Sequence, residues 1–271
     1  MERFKNKIVA ITGAGSGLGR GLSVDFAKLG WKVAVSDINM ERAEESVRLV
    51  NDSGGQGLSF RCDVTKHKEV QALADFVISN WGGADIIINN AGVPVAGYIE
   101  KIPLDDWKFE IDIILMSVIY GCRTFVPIFK KQGWGHIVNT AALGGIATPA
   151  EMSPYNVTKA AVIALSETLS KELWKSNIGV TVVCPSFFKT NLMDNLRCID
   201  ERQRKRAQTF FDKFSFGTVE SVSRDTLKAI EKNKLYVLPQ WDAKLNWWIK
   251  RISPHLYCKW QPVLIRKLLS E

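Results

Sequence analysis

The sequence predicts a single-domain α/β fold, a doubly wound, seven-stranded parallel sheet with helices on both faces and a C-terminal helical extension. Three observations predict it. Apolar runs such as Ile8-Val9-Ala10-Ile11, Val33-Ala34-Val35, Ile86-Ile87-Ile88 and Val180-Thr181-Val182-Val183 show little polar alternation, as expected of strands covered on both faces. Stretches of helical periodicity separate these runs, in the rhythm that gives parallel pairing and right-handed crossovers. A glycine-rich turn, Thr12-Gly13-Ala14-Gly15-Ser16-Gly17-Leu18-Gly19, joins the first run to the first helix.

The first unit runs from Lys7 to Asp37 as strand, turn, helix and strand, with Leu22, Phe26 and Leu29 on one helix face. Its glycines leave the helix start open, where free N–H groups and the helix dipole attract a diphosphate. Asp37 lies twenty residues after Gly17 and ends the second strand. A carboxylate there can accept both hydroxyls of an adenosine ribose; it would otherwise serve as an N-cap for the helix from Met40. That helix ends at Gly54-Gly55. Leu58 to Arg61 is a short third strand, Lys66 to Trp81 a helix, and Asp85 to Ile88 a fourth strand ending in Asn89-Asn90-Ala91-Gly92. A long helix is expected from Leu104 to Gln132, a fifth strand from His136 to Thr140 and a second long helix from Ser153 to Ser176. Val180 to Val183 is the sixth strand and Leu235 to Leu238 the seventh.

Length and composition bound the function. A chain of 271 residues can bury one complete sheet. The N-terminus lacks the apolar core of a signal peptide, and no long uncharged apolar run predicts a spanning helix. The five cysteines are scattered without metal spacing, so a reduced, cytoplasmic setting is expected. The net charge of +8 is local: residues 197–271 hold 16 Lys/Arg against 8 Asp/Glu, while residues 1–196 hold 20 of each. No nucleic-acid motif accompanies it, and no nucleic-acid partner is expected.

The second long helix carries Tyr155-Asn156-Val157-Thr158-Lys159, with Tyr and Lys at i and i+4 on one face. An ammonium beside a phenol favours phenolate and eases proton exchange near neutral pH. The turn spacing Thr-Gly-x-x-x-Gly-x-Gly, the Asn-Asn-Ala-Gly after the fourth strand, Tyr-x-x-x-Lys, and Pro185-Ser186-x-x-x-Thr190 fall in order. Together they resemble the short-chain dehydrogenase/reductase family, over roughly residues 5–240. The resemblance implies a Rossmann fold and a nicotinamide cofactor. It implies that Gly13, Ser16, Gly17, Leu18 and Gly19 cradle the diphosphate and Asp37 the ribose. Asp63 and Val64 would border the adenine, and Asn90, Ala91 and Gly92 would lie along the cofactor. Lys159 would hold the nicotinamide ribose, Thr190, after Pro185, would hold the carboxamide, and Tyr155 would exchange the substrate proton. Asp37 would repel a 2′-phosphate, and Ser16 stands where phosphate-preferring relatives often carry Arg or Lys, so NAD is expected over NADP.

Two positions depart from the family pattern. Its serine thirteen residues before the tyrosine is Ala142 here, and its asparagine on the first long helix is Ile114. Loss of one such hydrogen-bond donor costs about 100- to 1000-fold in rate. Three explanations stay open: an engineered substitution, an enzyme using another donor such as Thr140 or Ser153, and a dinucleotide-binding protein with little turnover, such as a sensor. The expected substrate is a small-molecule secondary alcohol or ketone.

Family substrate specificity comes from the segment after the sixth strand, here a flap over residues 186–218 rich in phenylalanine, with Phe187 and Phe188 nearest the site. An aromatic lid suits a bulky apolar compound, lipid, steroid-like or aromatic. Beyond the domain of residues 1–240, the extension 241–271 interleaves Trp241, Trp247, Trp248 and Trp260 with Lys244, Lys250, Arg251, Lys259, Arg266 and Lys267, and Pro254 divides it into two helices. Such a segment either packs on protein with lysine stems over apolar surface or lies at a membrane surface. The two long helices imply, by the same resemblance, a homodimer or homotetramer.

Overall fold

The computed structural model describes residue 1 and residues 3–269; the side chains of 191, 195 and 264–269, and with them Arg266 and Lys267, lie outside the described residues. Seven strands form one parallel sheet: β1 (Ile8–Thr12), β2 (Lys32–Asp37), β3 (Gln56–Arg61), β4 (Ile86–Asn89), then, after a two-residue strand β5 (Val95–Ala96), β6 (Gly135–Thr140), β7 (Ile178–Val183) and, after a two-residue strand β8 (Arg197–Cys198), β9 (Tyr236–Val237). The order across the sheet is β3-β2-β1-β4-β6-β7-β9. The chain winds outward one way from β1 and the other way from β4, so the crevice beyond their C-terminal ends is the switch point where α/β sheets bind ligands.

Helices cover both faces because the strands are apolar on both. β1, β4 and β7 are buried at every residue. On one face α1 (Gly17–Lys28) supplies Leu22 and Phe26 to a core that also holds Trp31, Val33 and Val35. The helix α2 (Met40–Asp52) starts at Asn39, whose side chain accepts the Arg42 N–H, so Asn39 and not Asp37 is the cap. On the other face α3 (His67–Trp81) supplies Leu73 and Val77.

The first long helix is broken where one uninterrupted helix was expected. It runs as α4 (Leu104–Glu110), a π-turn segment over Ile111–Met116, and α5 (Ser117–Gln132). Such a turn inserts an extra residue and re-aims side chains, often at functional sites. Ile114 lies in this segment and Glu110 immediately before it, both fully buried. The run Leu104–Gln132 is long and apolar enough to cross a membrane, but its Phe125 and Phe129 fill the sheet core. After β6 a short helix α6 (Gly144–Ala147) precedes α7 (Ser153–Glu172), which ends four residues before the expected Ser176.

The flap is tied to the body by β8, which pairs in parallel with β5. Its main helix α8 (Glu201–Phe214) is capped by Asp200, whose carboxylate accepts the Gln203 N–H. The helix α9 (Val219–Glu231) packs on α1 and leads to β9. The extension forms α10 (Trp241–Ile252) and α11 (Pro254–Leu269). Ala243 and Tyr257 are buried against Leu143 and Ala147, Lys250 Nζ donates to Ile146 O at 2.6 Å, and Gln261 Nε2 donates to Ala147 O at 2.9 Å. The extension therefore packs on the protein, while its outer face is open.

Candidate active site

Two cavities meet at the C-terminal edge of the sheet. The first is a partly polar groove of about 720 Å³, whose walls include Gly13, Ser16, Gly17, Leu18, Asp37, Asp63, Val64, Asn90, Ala91, Gly92, Thr140, Tyr155, Lys159, Pro185 and Thr190. The second is an apolar cavity of about 710 Å³. Tyr155 belongs to the wall of both.

The glycine turn makes the groove. At Gly13, where φ is +61°, a Cβ would stand 2.7 Å from Ala91 Cα. At Gly19 it would stand 2.3 Å from Gly13 O. The turn can therefore lie flat against the loop after β4 only as glycine. Thr12 and Asn90 stitch the two segments: Asn90 N–H donates to Thr12 Oγ1 at 3.0 Å, and Asn90 Nδ2 to Thr12 O at 3.1 Å. The helix α1 then starts with open N–H groups facing the groove, which fits an anionic diphosphate.

Asp37 ends β2 at the far end of the groove. Its Oδ2 accepts the Gly15 N–H at 2.9 Å and its Oδ1 the Asn39 N–H at 3.0 Å. Gly15 has a role that its spacing did not reveal, since a Cβ there would lie 2.7 Å from Asp37 Oδ2. Arg42, five residues after Asp37, also lines the groove. The first turn of α2 thus returns an arginine to the wall of the groove, which the spacing along the sequence did not reveal. At the adenine end, Asp63 Oδ1 accepts Thr65 Oγ1 at 2.7 Å, and Lys66 Nζ lies 3.2 Å from Asp63 Oδ2. A groove with a glycine cradle, a helix N-terminus and a carboxylate at one end fits a dinucleotide.

A buried polar chain holds α7 in place. Asn89 Nδ2 donates to Asn139 Oδ1 at 2.9 Å, and Asn139 Nδ2 donates to Ser166 Oγ at 3.0 Å. It links β4, β6 and α7, and so fixes Tyr155 and Lys159 over the strand ends. Lys159 is nearly buried, its Nζ donates to Thr140 O at 2.7 Å, and it stands 5.6 Å from the Tyr155 ring centre. Burial pushes the Lys159 ammonium down to about 8.

For the protein by itself, the Lys159 ammonium does not bring the Tyr155 phenol down. Burial, followed by the nearby charge of Glu110, pushes it upward. Removing water from around a phenolate costs more here than the partly neutralised lysine returns. A positively charged nicotinamide ring in the groove would act in the opposite sense.

Glu110 is the residue that sequence reading missed. It is fully buried, its Oε1 accepts the Val95 N–H at 3.2 Å, and its Oε2 has no partner among the described residues. Burial pushes its carboxyl up to about 8, against the pull of the Val95 N–H and the Lys159 charge. An acidic residue in an otherwise apolar helix face was the available signal.

Thr140 needs a correction as a substitute donor. Strand β6 ends at this residue, its hydroxyl donates to Asn90 Oδ1 at 3.4 Å, and it walls the groove rather than the apolar cavity. Ser153 begins α7 and lines neither cavity. Ala142 lies in the apolar wall beside Leu143 and Gly144, and Ile114 is buried near Lys159. Ser186, where the family has glycine, donates its hydroxyl to Asp242 of α10, and its N–H donates to Gln240 Oε1 at 3.0 Å. That departure ties the loop after β7 to the extension.

Phe187 and Phe188 line the apolar cavity with Phe210, Phe211, Phe214 and Phe216. Edge-to-face contacts link Phe187 to Phe210 at 5.3 Å and to Phe211 at 5.8 Å, and the chain of rings continues to Trp241, 6.0 Å from Phe216. The extension closes the far side with Leu245, Ile249, Leu256 and Trp260.

Fold and site together define a nucleotide-binding oxidoreductase of the Tyr-x-x-x-Lys type. Residues 7–199 match the short chain dehydrogenase family, and the chain belongs to that family. It is 32% identical over 247 residues to the putative oxidoreductase SadH of Mycobacterium tuberculosis, covering 90% of each chain. It is 26% identical over 271 residues to a CLA biosynthesis dehydrogenase/reductase of Lactiplantibacillus plantarum, covering 93% of this chain and 95% of the relative. A short chain dehydrogenase/reductase from Burkholderia phymatum, solved in complex with NAD, superimposes with a TM-score of 0.87 at 30% identity, covering 94% of this chain and 96% of that one.

Proposed function

We propose that the chain is an NAD-dependent dehydrogenase/reductase acting on a secondary alcohol, or its ketone, within a bulky apolar, lipid-like molecule. The observation that carries this reading is Tyr155, which walls both a dinucleotide-shaped groove and a large apolar cavity. A nicotinamide ring bound in the groove supplies the chemistry of hydride acceptance or donation. Gly13, Gly17, Leu18 and Gly19 hold the diphosphate and Asp37 the ribose. Asp63 and Val64 border the adenine, and Thr190 and Lys159 fix the nicotinamide end. Tyr155 exchanges a proton with the substrate oxygen, and Lys159 stabilises its anion. Asp37 is the ground for NAD over NADP, because its carboxylate repels a 2′-phosphate more directly than Arg42, on the next helix, can attract one.

The apolar cavity is within the usual volume range for ligand sites and suits a long or fused apolar body. The L. plantarum relative is named a dehydrogenase/reductase, in keeping with this reaction. Ala142 leaves Tyr155 as the single side-chain donor proposed for the substrate oxygen, which predicts a slow enzyme. The same absence, with Ile114, is what favours a second reading, a protein that senses the dinucleotide with little turnover. The outer faces of α5 and α7 are the proposed contacts of a homodimer or homotetramer, and the free cysteines support a reducing cytoplasm. The extension supports peripheral membrane contact.

Binding titration and turnover test this together. NAD⁺ is expected to bind at least tenfold more tightly than NADP⁺. Tyr155→Phe is expected to keep NAD⁺ affinity and lose about 100-fold or more in turnover. Ala142→Ser is expected to raise turnover of bulky secondary alcohols. Tight NAD⁺ binding with no turnover by either the wild type or the Ala142→Ser variant would favour the sensor.

A further inference from the structure

The extension packs inward with one side of each helix and leaves an apolar stripe on the other. In α10 the exposed apolar residues are Trp241, Leu245, Trp248, Ile249 and Ile252, at i, i+4, i+7, i+8 and i+11. At 3.6 residues per turn they occupy a stripe about 100° wide. Ala243 is buried on the opposite side. In α11 Leu256, Trp260 and Val263 repeat the pattern at i, i+4 and i+7. Ile252 is 82% exposed, Trp241 63% and Trp248 60%. Adjacent large side chains at that exposure form a patch of the kind that marks an interaction surface.

Two further observations choose the partner. First, the stripe is continuous with the cavity. Trp241, Leu245, Ile249, Ile252, Leu256 and Trp260 belong both to the exposed stripe and to the wall of the cavity that ends at Tyr155. Second, the stripe is bordered by cations. By helical position Lys244 flanks it in α10 and Lys259 flanks it in α11, and both are exposed; Arg251, further round α10, lies over the Trp247 ring and 3.9 Å from Glu167 of α7. Among the described residues of the extension, Asp242 is the one carboxylate side chain, and it is turned inward onto Ser186. Tryptophan and leucine on one face with lysine and arginine at its edge are the elements of a helix lying in a lipid interface, where basic side chains reach back to the headgroups. A protein partner would need a matching apolar groove and acidic rim; an anionic bilayer supplies both without a specific sequence.

We propose that α10 and α11 dock the protein on an anionic membrane surface, with the cavity mouth facing the bilayer so that a lipid-like substrate passes from the membrane to Tyr155 without crossing water. The direction of entry rests on the apolar-substrate reading of the site; the docking itself does not.

The test uses the full-length protein, flotation with vesicles of phosphatidylcholine with or without about 30% phosphatidylglycerol, and turnover of a long-chain secondary alcohol beside water-soluble cyclohexanol. Wild type is expected to float with the anionic vesicles, less so as salt rises through the screening range. Trp248, which is outside the cavity wall, is the residue to change. Trp248→Glu is expected to weaken vesicle binding about tenfold or more, and to lose the vesicle-dependent gain on the long-chain alcohol. Its cyclohexanol activity and thermal midpoint are expected to stay near those of wild type. Lys244→Glu with Lys259→Glu is expected to abolish the preference for anionic vesicles.

A wild type that floats with neither vesicle overturns the docking. So does a Trp248-dependent dimer in solution without vesicle binding, which would assign the stripe to a second copy. Flotation without any vesicle gain on the long-chain alcohol, in a protein that turns over cyclohexanol, overturns entry from the membrane. Flotation with no turnover of either alcohol leaves the docking standing and counts against the proposed function.

Discussion

The Glu110 carboxyl sits inside the protein between β5, α7 and the π-turn, with one oxygen on the Val95 N–H and the other unpartnered among the described residues. Burial pushes it from an ordinary 4.5 to about 8. This fixes a sign. Between pH 4.5 and 8 the unfolded chain has released a proton that the folded protein keeps. Stability therefore falls as pH rises through that window. Lys159 runs the other way and later: its ammonium is pushed from 10.5 to about 8, so its destabilisation is relieved as pH rises from 8 to 10.5. Glu110→Gln keeps the shape and removes the titration. It is expected to match wild type near pH 4.5 and to exceed it by on the order of 2–5 kcal/mol at pH 8. Urea unfolding at a series of pH values checks this; parallel stability curves for the two proteins would show that Glu110 does not titrate in this window.

At the scale of elements, α7 carries Tyr155 and Lys159, the pair proposed for proton exchange, and the Asn89–Asn139–Ser166 chain holds it. Asn139 is fully buried and uses both ends of its amide in that chain. Asn139→Ala removes one hydrogen-bond partner from each of Asn89 and Ser166, which keep Cys122 Sγ and Val162 O; the loss is expected to cost about 1–3 kcal/mol in all. The expected result is a clear fall in the urea midpoint, with loss of turnover exceeding the loss of NAD⁺ affinity, because the groove's glycine turn is untouched. Equal losses would mean that the chain supports the whole sheet rather than α7. The sheet and Tyr155–Lys159 were legible in the sequence because their signals are local: apolar runs without alternation, and a fixed i,i+4 spacing. Glu110, Arg42 and the β5–β8 pair were not legible, for a common reason. Each matters through a partner distant in sequence or brought round by a helical turn, such as Val95, the groove wall and Arg197. The π-turn is likewise invisible to a 3.6-residue period, which tolerates one inserted residue without losing its apolar stripe. Thr140 was named as a donor by its nearness in sequence to Ala142, which does not show that its hydroxyl is spent on Asn90 Oδ1 in the groove.

At the scale of the molecule, the two cavities have different owners. The dinucleotide groove is built from the sheet body and the first residues of the flap, through Phe188, Thr190, Leu192 and Arg197, and no residue of the extension lines it. The apolar cavity is built from the body on one side and from the flap and extension on the other, through Phe210, Phe216, Trp241 and Leu245. The extension is joined to the body mainly through α6, Ser186 and Gln240, and none of these contacts passes through Asp37 or the glycine turn. Truncation after Gln240 should therefore separate the two functions of the site. Cofactor affinity is expected to change by less than about threefold, since no groove wall is lost. KM for a long-chain secondary alcohol is expected to rise about tenfold or more, because removing several buried contacts of a methylene or larger forfeits about 0.8 kcal/mol per CH₂, and each 1.4 kcal/mol is tenfold in affinity. A short alcohol that reaches only Tyr155 and Ala142 loses few of those contacts, so its kcat/KM is expected to stay within a few-fold. Calorimetric titration with NAD⁺ and steady-state kinetics on the two alcohols, with the circular dichroism spectrum as a check on folding, make the comparison. A parallel loss for both alcohols in a folded protein would mean that α10 acts by holding the Pro185–Thr190 loop through Ser186, and that the cavity's outer wall contributes little to substrate binding.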